Sequence, residues 1–141
     1  MSLYHSILVA INPTYPNSRK LLVKASLIAQ ANQSDLHLIH IEPGVGNLSF
    51  IDIELELDEA HHDANKTRIL KLVELSKDLP YPVKSFHIGD GDVPKHIENK
   101  AEELNSDLVI MGHHHHWGAI FDKTESKLSD KLDCDLLVIK I

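Results

Sequence analysis

The sequence predicts an α/β fold, an open parallel sheet of five strands with helices on both of its faces. Three observations predict it. Short, nearly unbroken apolar runs recur five times along the 141 residues, the pattern of strands buried on both faces. Between them lie segments whose apolar residues fall at helical spacing. Pro, Gly, Asn and Asp cluster at the changeovers. Strands that alternate with helices of about four turns form βαβ units, and right-handed crossovers assemble these into a parallel sheet.

Residues 6–11 (Ser-Ile-Leu-Val-Ala-Ile) read as the first strand, and Asn12-Pro13-Thr14-Tyr15-Pro16 breaks it. Asn17 and Ser18 are capping residues for a first helix that carries Leu21, Ala25, Ile28 and Asn32 on one stripe, with Leu22 and Ala29 beside it. Residues 36–41 form the second strand, ended by Glu42-Pro43-Gly44. An acidic, helix-compatible stretch covers residues 52–78, with Ala60, Ala64, Thr67, Leu70 and Val73 on one stripe and Pro80 and Pro82 as its stop. Residues 83–88 are a third strand, closed by Gly89-Asp90-Gly91-Asp92. Asp92 caps the next helix, Pro94 suits its first turn, and Ile97, Ala101 and Leu104 give its buried face. Residues 107–111 form the fourth strand, stopped by Gly112. A last helix over residues 119–132 turns Phe121, Thr124, Leu128 and Leu132 inward, and residues 136–141 are the fifth strand.

The length suits one domain over residues 1–141 with a core of its own. No apolar stretch is long enough to span a membrane, and the first residues lack the basic and apolar regions of a signal peptide, so the expected location is the cytoplasm. With 14 Lys and Arg against 21 Asp and Glu, the net charge of −7 argues against a nucleic-acid partner. The single cysteine, Cys134, excludes an internal disulfide and reads as a small buried hydrophobe on a strand. Histidine is abundant: protonating all 11 would carry the net charge from −7 to +4, so association should depend on pH around the imidazole range.

In open sheets of this kind ligands bind beyond the carboxyl ends of the strands, where the strand order reverses. The residues that reach that edge are 12–15, 42–46, 89–92 and 112–117. There Ile7-Leu8-Val9-Ala10-Ile11-Asn12, Gly89-Asp90-Gly91-Asp92 and the run from Asp107 to Gly112-His113-His114 resemble the universal stress protein family in order and spacing. The whole chain shares the resemblance, which is closest to the universal stress protein A type, with its Gly-His-His segment and nearby Trp, here Trp117. It implies the adenine nucleotide alpha hydrolase-like sheet order 3-2-1-4-5 and a homodimer formed through the last strand, by Leu136, Leu137, Val138, Ile139 and Ile141. That strand ends the chain in apolar residues, and an exposed apolar edge invites pairing.

One branch of the family binds ATP through a Gly-x2-Gly-x9-Gly-Ser/Thr loop after the fourth strand, with an acidic residue ending the first. Carried onto this chain, the resemblance gives a candidate nucleotide site of Asn12, Gly112, His113, His115 and Ser126. His115 and Glu125 stand in the second and third glycine positions, and Asn12 replaces the acidic residue. Glycines let main-chain N–H groups approach phosphate, and a carboxylate there repels it. The expected function is therefore a stress-response regulatory protein that acts as a homodimer with an unidentified protein partner, and no cofactor is expected. An ATP-binding switch with at most slow hydrolysis is one alternative, and a metal-responsive module using His113 to His116 is another.

His113, His114, His115 and His116 also form a candidate metal cluster, since neutral imidazoles ligate zinc, nickel or copper. Successive residues of an extended loop point in different directions, so two or three of them reach one ion. His37, His40 and His87 read as packed, hydrogen-bonded strand residues. No nucleophile stands at a recognisable spacing from them, and no catalytic residue is assigned. His61 and His62 fall on the solvated side of the long helix.

Overall fold

The computed structural model describes residues 2–42, 50–53, 63–113 and 118–141. The five expected parallel strands are β1 (Ser6–Ala10), β2 (Asp35–Glu42), β4 (Ser85–Asp90), β5 (Leu108–His113) and β6 (Asp135–Lys140). They lie in the order β4-β2-β1-β5-β6, which is 3-2-1-4-5 counted over the parallel strands. An added edge strand, β3 (Phe50–Ile53), pairs antiparallel with β4, Asp52 standing opposite His87.

The helices are α1 (Ser18–Asn32), α2 (Asp63–Leu75), α3 (Val93–Glu103) and α4 (Gly118–Lys131). Successive residues of each central strand feed opposite faces of the sheet. Ile7, Val9, Leu36, Leu38 and Ile110 pack with Leu22, Ala25, Ile69 and Leu72 of α1 and α2, while Leu8, Ile39 and Val109 pack with Ile97, Ala101 and Leu128 of α3 and α4. A strand covered on both sides has no polar face, which is why these strands read as unbroken apolar runs. Each fully buried Leu or Ile contributes roughly 1.5–3 kcal/mol from its removal from water.

Several expectations need correction. The stretch from residue 52 is not one helix: Asp52 and Ile53 belong to β3, and the helix α2 is described over Asp63–Leu75. Among the described side chains of α2, Ile69 and Leu72 are buried, whereas Leu70, read as part of the apolar stripe, is 45% exposed. Gly112 does not stop the fourth strand, because its pairing with Ile139 carries β5 through to His113. Asn17 does stand at the start of α1, but in the left-handed region at φ 67° and without a side-chain cap. Ser18 Oγ turns back instead, 2.5 Å from the Asn12 carbonyl and 2.7 Å from that of Tyr15. Cys134 lies half-buried in the bend before β6 rather than buried on a strand. The Asp92 cap is as expected, its carboxylate accepting from the Lys95 amide at 3.2 Å. His61, His62 and Trp117, and the side chains of Phe121 and Thr124, lie outside the described residues. Among the described residues no helix is long and apolar enough to cross a membrane.

Candidate functional site

The strand order reverses at β1, where the chain runs outward to β2 and β4 and then returns to β5 on the other side. The carboxyl ends of β1, β2, β4 and β5 therefore form the wall where this fold class places its ligands. Asn12 leaves β1 in a closed turn. Its Oδ1 accepts from the Thr14 amide at 3.0 Å and from Thr14 Oγ1 at 2.7 Å, and its carbonyl accepts from the Tyr15 amide at 3.1 Å. This is the local bonding by which Asn favours turns.

On the β5 side, Gly112 lies against the end of the Ile141 side chain. A Cβ there would meet Ile141 Cδ1 at 2.7 Å and Leu21 Cδ2 at 3.2 Å, so the bare backbone makes room for the last residue, whose amide bonds the His113 carbonyl at 3.1 Å. His113 pairs with α4 through Nδ1, 2.8 Å from Glu125 Oε1, and both side chains are about three-quarters buried. Ser126 lies well inside α4. An amide that deep in a helix bonds the carbonyl four residues before it. The free N–H groups that grip phosphate belong to a helix's first turn.

On the β2 side, a second histidine meets a second glutamate. His40 is 3% exposed, with Nδ1 3.1 Å from the Ile11 carbonyl and Nε2 2.9 Å from Glu42 Oε1. Burial pulls its pKa below that of free imidazole, against the hydrogen bond and charge of Glu42, which raise it. Arg68 of α2 braces the neighbouring strand end: its Nη1 lies 3.2 Å from Asp90 Oδ1, and its Nη2 donates to the Gly89 carbonyl at 2.7 Å. The turn that follows uses Gly91 at φ 115°, a conformation suited to glycine, and its amide bonds the Glu42 carbonyl at 2.9 Å.

Deeper in the sheet, Ser85 Oγ lies between two rings, 2.5 Å from His37 Nδ1 and 2.7 Å from His87 Nε2. All three residues are buried. Burial and the neighbouring His87 lower the His37 pKa to about 4. His37, His40 and His87 are thus the packed, bonded strand residues that the sequence suggests.

The described candidate nucleotide residues fall after β1, in β5 and in α4. Asn12 follows β1, Gly112 lies within the adjacent β5, His113 is paired with Glu125, Ser126 is an exposed helical residue, and His115 lies outside the described residues. Of the metal cluster, His113 is described and His114, His115 and His116 are not. Among the described residues no group of three or more His, Cys, Asp or Glu is placed to hold an ion. Sequence reading missed Arg68 and Ser85, and it put Glu42 at the ligand edge without its pairing to His40. The signal for Glu42 and Ser85 was the spacing of two, His40-x-Glu42 and Ser85-x-His87, which puts both members on one face of a strand.

A sequence profile of the universal stress protein family matches residues 3–140. Universal stress protein A of Salmonella typhi is 25% identical over 138 residues, covering 98% of this chain and 95% of its own. A solved universal stress protein in complex with cAMP superposes with a TM-score of 0.71 at 15% identity, over 99% of this chain and 98% of the other. One from Archaeoglobus fulgidus in complex with dAMP gives 0.66 at 18% identity, over 98% and 99%. These two structural likenesses establish the fold.

Proposed function

The chain belongs to the universal stress protein family, and from that premise we propose that it is a regulatory binding protein, a homodimer that works without a bound nucleoside triphosphate and is not an enzyme. The observation that carries this reading is the reach of α4. The phosphate-binding pattern needs an open loop from Gly112 to the position of Ser126, and α4 has already begun at Gly118. The amide of Ser126 is committed to the helix, and the Glu125 carboxylate, held by His113 at 2.8 Å, repels phosphate from the place a glycine would occupy. Asn12 has its side-chain oxygen bound within its own turn.

The dimer reading rests on β6, the edge strand beyond β5. Leu137 is 37% exposed there, and Leu136, Val138, Ile139 and Ile141 are half-buried. A second copy pairing along this edge would cover them, and two-fold pairing is the commonest oligomeric arrangement. Sedimentation of the wild type should give a dimer that Leu137→Lys splits into monomers. A wild-type monomer would remove this part of the proposal.

A second reading is an adenine mononucleotide, favoured because proteins of this fold are solved with cAMP and dAMP. A monophosphate demands fewer free N–H groups than a triphosphate. Calorimetric titration separates the readings. The first expects no heat from magnesium ATP or from cAMP; binding of cAMP with none of ATP favours the second. Micromolar ATP binding would overturn the first and return Asn12, Gly112 and Ser126 to the nucleotide site.

A further inference from the structure

His40 is bounded by two acceptors. The Ile11 carbonyl faces Nδ1 at 3.1 Å and the Glu42 carboxylate faces Nε2 at 2.9 Å. A carbonyl can only accept, so Nδ1 carries a proton. An ionised carboxylate can only accept as well, so a second proton must lie between Nε2 and Oε1, carried by the imidazole as the more basic of the two groups. With that proton absent, two lone pairs face each other at 2.9 Å and the contact fails.

We infer that His40 and Glu42 form a proton-operated latch, closed when the pair holds one shared proton and released when it does not, joining the carboxyl ends of β1 and β2 at the candidate site. The ring ties the last residue before the Asn12 turn to the side chain that ends β2. The Glu42 carbonyl then receives the Gly91 amide from the end of β4, so the latch engages three strand ends. Glu42 is 48% exposed and has room to swing out, whereas His40 is fixed. Two charges act on the ring, Glu42 from its own strand, favouring the proton, and Arg68 from α2, opposing it. Arg68 is itself paired with Asp90 of β4, and His96 of α3 bonds the Asp90 carbonyl at 2.8 Å. The inference is independent of any nucleotide.

The test is nitrogen-detected NMR of the His40 ring in the full chain from pH 8 to pH 5, in the wild type and in Glu42→Gln. A glutamine amide can donate to Nε2, so the variant keeps the contact with a neutral ring and needs no extra proton. The wild-type ring should become protonated at both nitrogens within this range. In Glu42→Gln its proton affinity should fall about tenfold or more, one pKa unit, leaving the Nδ1–H tautomer in place at pH 5.5. Exchange of the Gly91 amide should be several-fold faster in the wild type than in the variant at pH 8, and equal at pH 5. Identical titration of the ring in both proteins overturns the proposal, as does a wild-type ring that stays singly protonated to pH 5. Gly91 exchange that never differs between them overturns the mechanical role.

Discussion

Two histidines three residues apart on β2 meet opposite chemistry. His37 faces the α3 side and bonds the hydroxyl of Ser85, which also bonds His87. A hydroxyl both donates and accepts, so one O–H satisfies two neutral imidazoles. His40 faces the α2 side and meets a carbonyl and a carboxylate, which satisfy only a ring with a shared second proton. Burial depth is similar, 6% and 3% exposed, so the partner's donor capacity and not depth separates a structural histidine from a proton-sensitive one. The first kind belongs to the core and the second to the edge where ligands bind in this fold class.

The largest effect that would sharpen the contrast is His37→Ala. It leaves a cavity between β2 and β4 and removes one partner of Ser85, and buried large-to-small changes of this size cost about 3 kcal/mol. Urea denaturation at pH 7 measures it. A loss below about 1 kcal/mol would mean that the His37–Ser85–His87 relay is not structural.

Acid should come next. The His37 pKa of about 4 lies below the 6.5 of free imidazole, through burial first, then His87 and Lys84, against the opposing effect of Asp35. The unfolded chain therefore binds the proton more tightly. Stability is full above the unfolded value and falls as pH drops from about 6.5 towards 4, by on the order of 2 kcal/mol after allowance for solvent near the ring. His40, whose pKa is also lowered, acts in the same direction. Unfolding midpoints at pH 7 and pH 4.5 should show the loss, and His37→Gln should flatten most of it. An equal slope in the variant would assign the acid sensitivity elsewhere.

What could be read beforehand divides along similar lines. The five parallel strands were legible because two-sided burial leaves continuous apolar runs such as Ile7-Leu8-Val9 and Leu108-Val109-Ile110. The edge strand β3 was not, although Ile51-Asp52-Ile53 alternates as a half-buried strand does, because an acidic helix-compatible stretch follows directly. Gly112 was read as a ligand-site residue, and its packing against Ile141 was not legible, since that contact is made only after β6 is laid beside β5. Glu125 was legible as an obstacle in a glycine position, yet its bond to His113 depends on α4 beginning eight residues earlier in register than an open loop allows. The His40–Glu42 pair is a spacing of two that sequence offers freely. The Ile11 carbonyl that fixes its protonation comes from the β1–β2 register, in which the Ile11 amide bonds the Ile39 carbonyl at 3.0 Å, and local pattern does not carry that.

The smallest effect is the most discriminating. Glu42→Gln changes a half-exposed side chain that makes one contact to the ring, so at pH 7.5 its stability should match the wild type within about 0.5 kcal/mol. At lower pH the two should separate. The carboxylate raises the His40 pKa against burial, and replacing it drops the folded value further below the unfolded one, so the variant's unfolded state gains protons over a wider interval. Its stability should fall more steeply between pH 6.5 and 5, ending about 1 kcal/mol below the wild type, an amount set by partial solvent screening. Parallel urea titrations at the two pH values read the difference. Curves that stay superposed would make His40 the same kind of histidine as His37, buried and satisfied without help from charge.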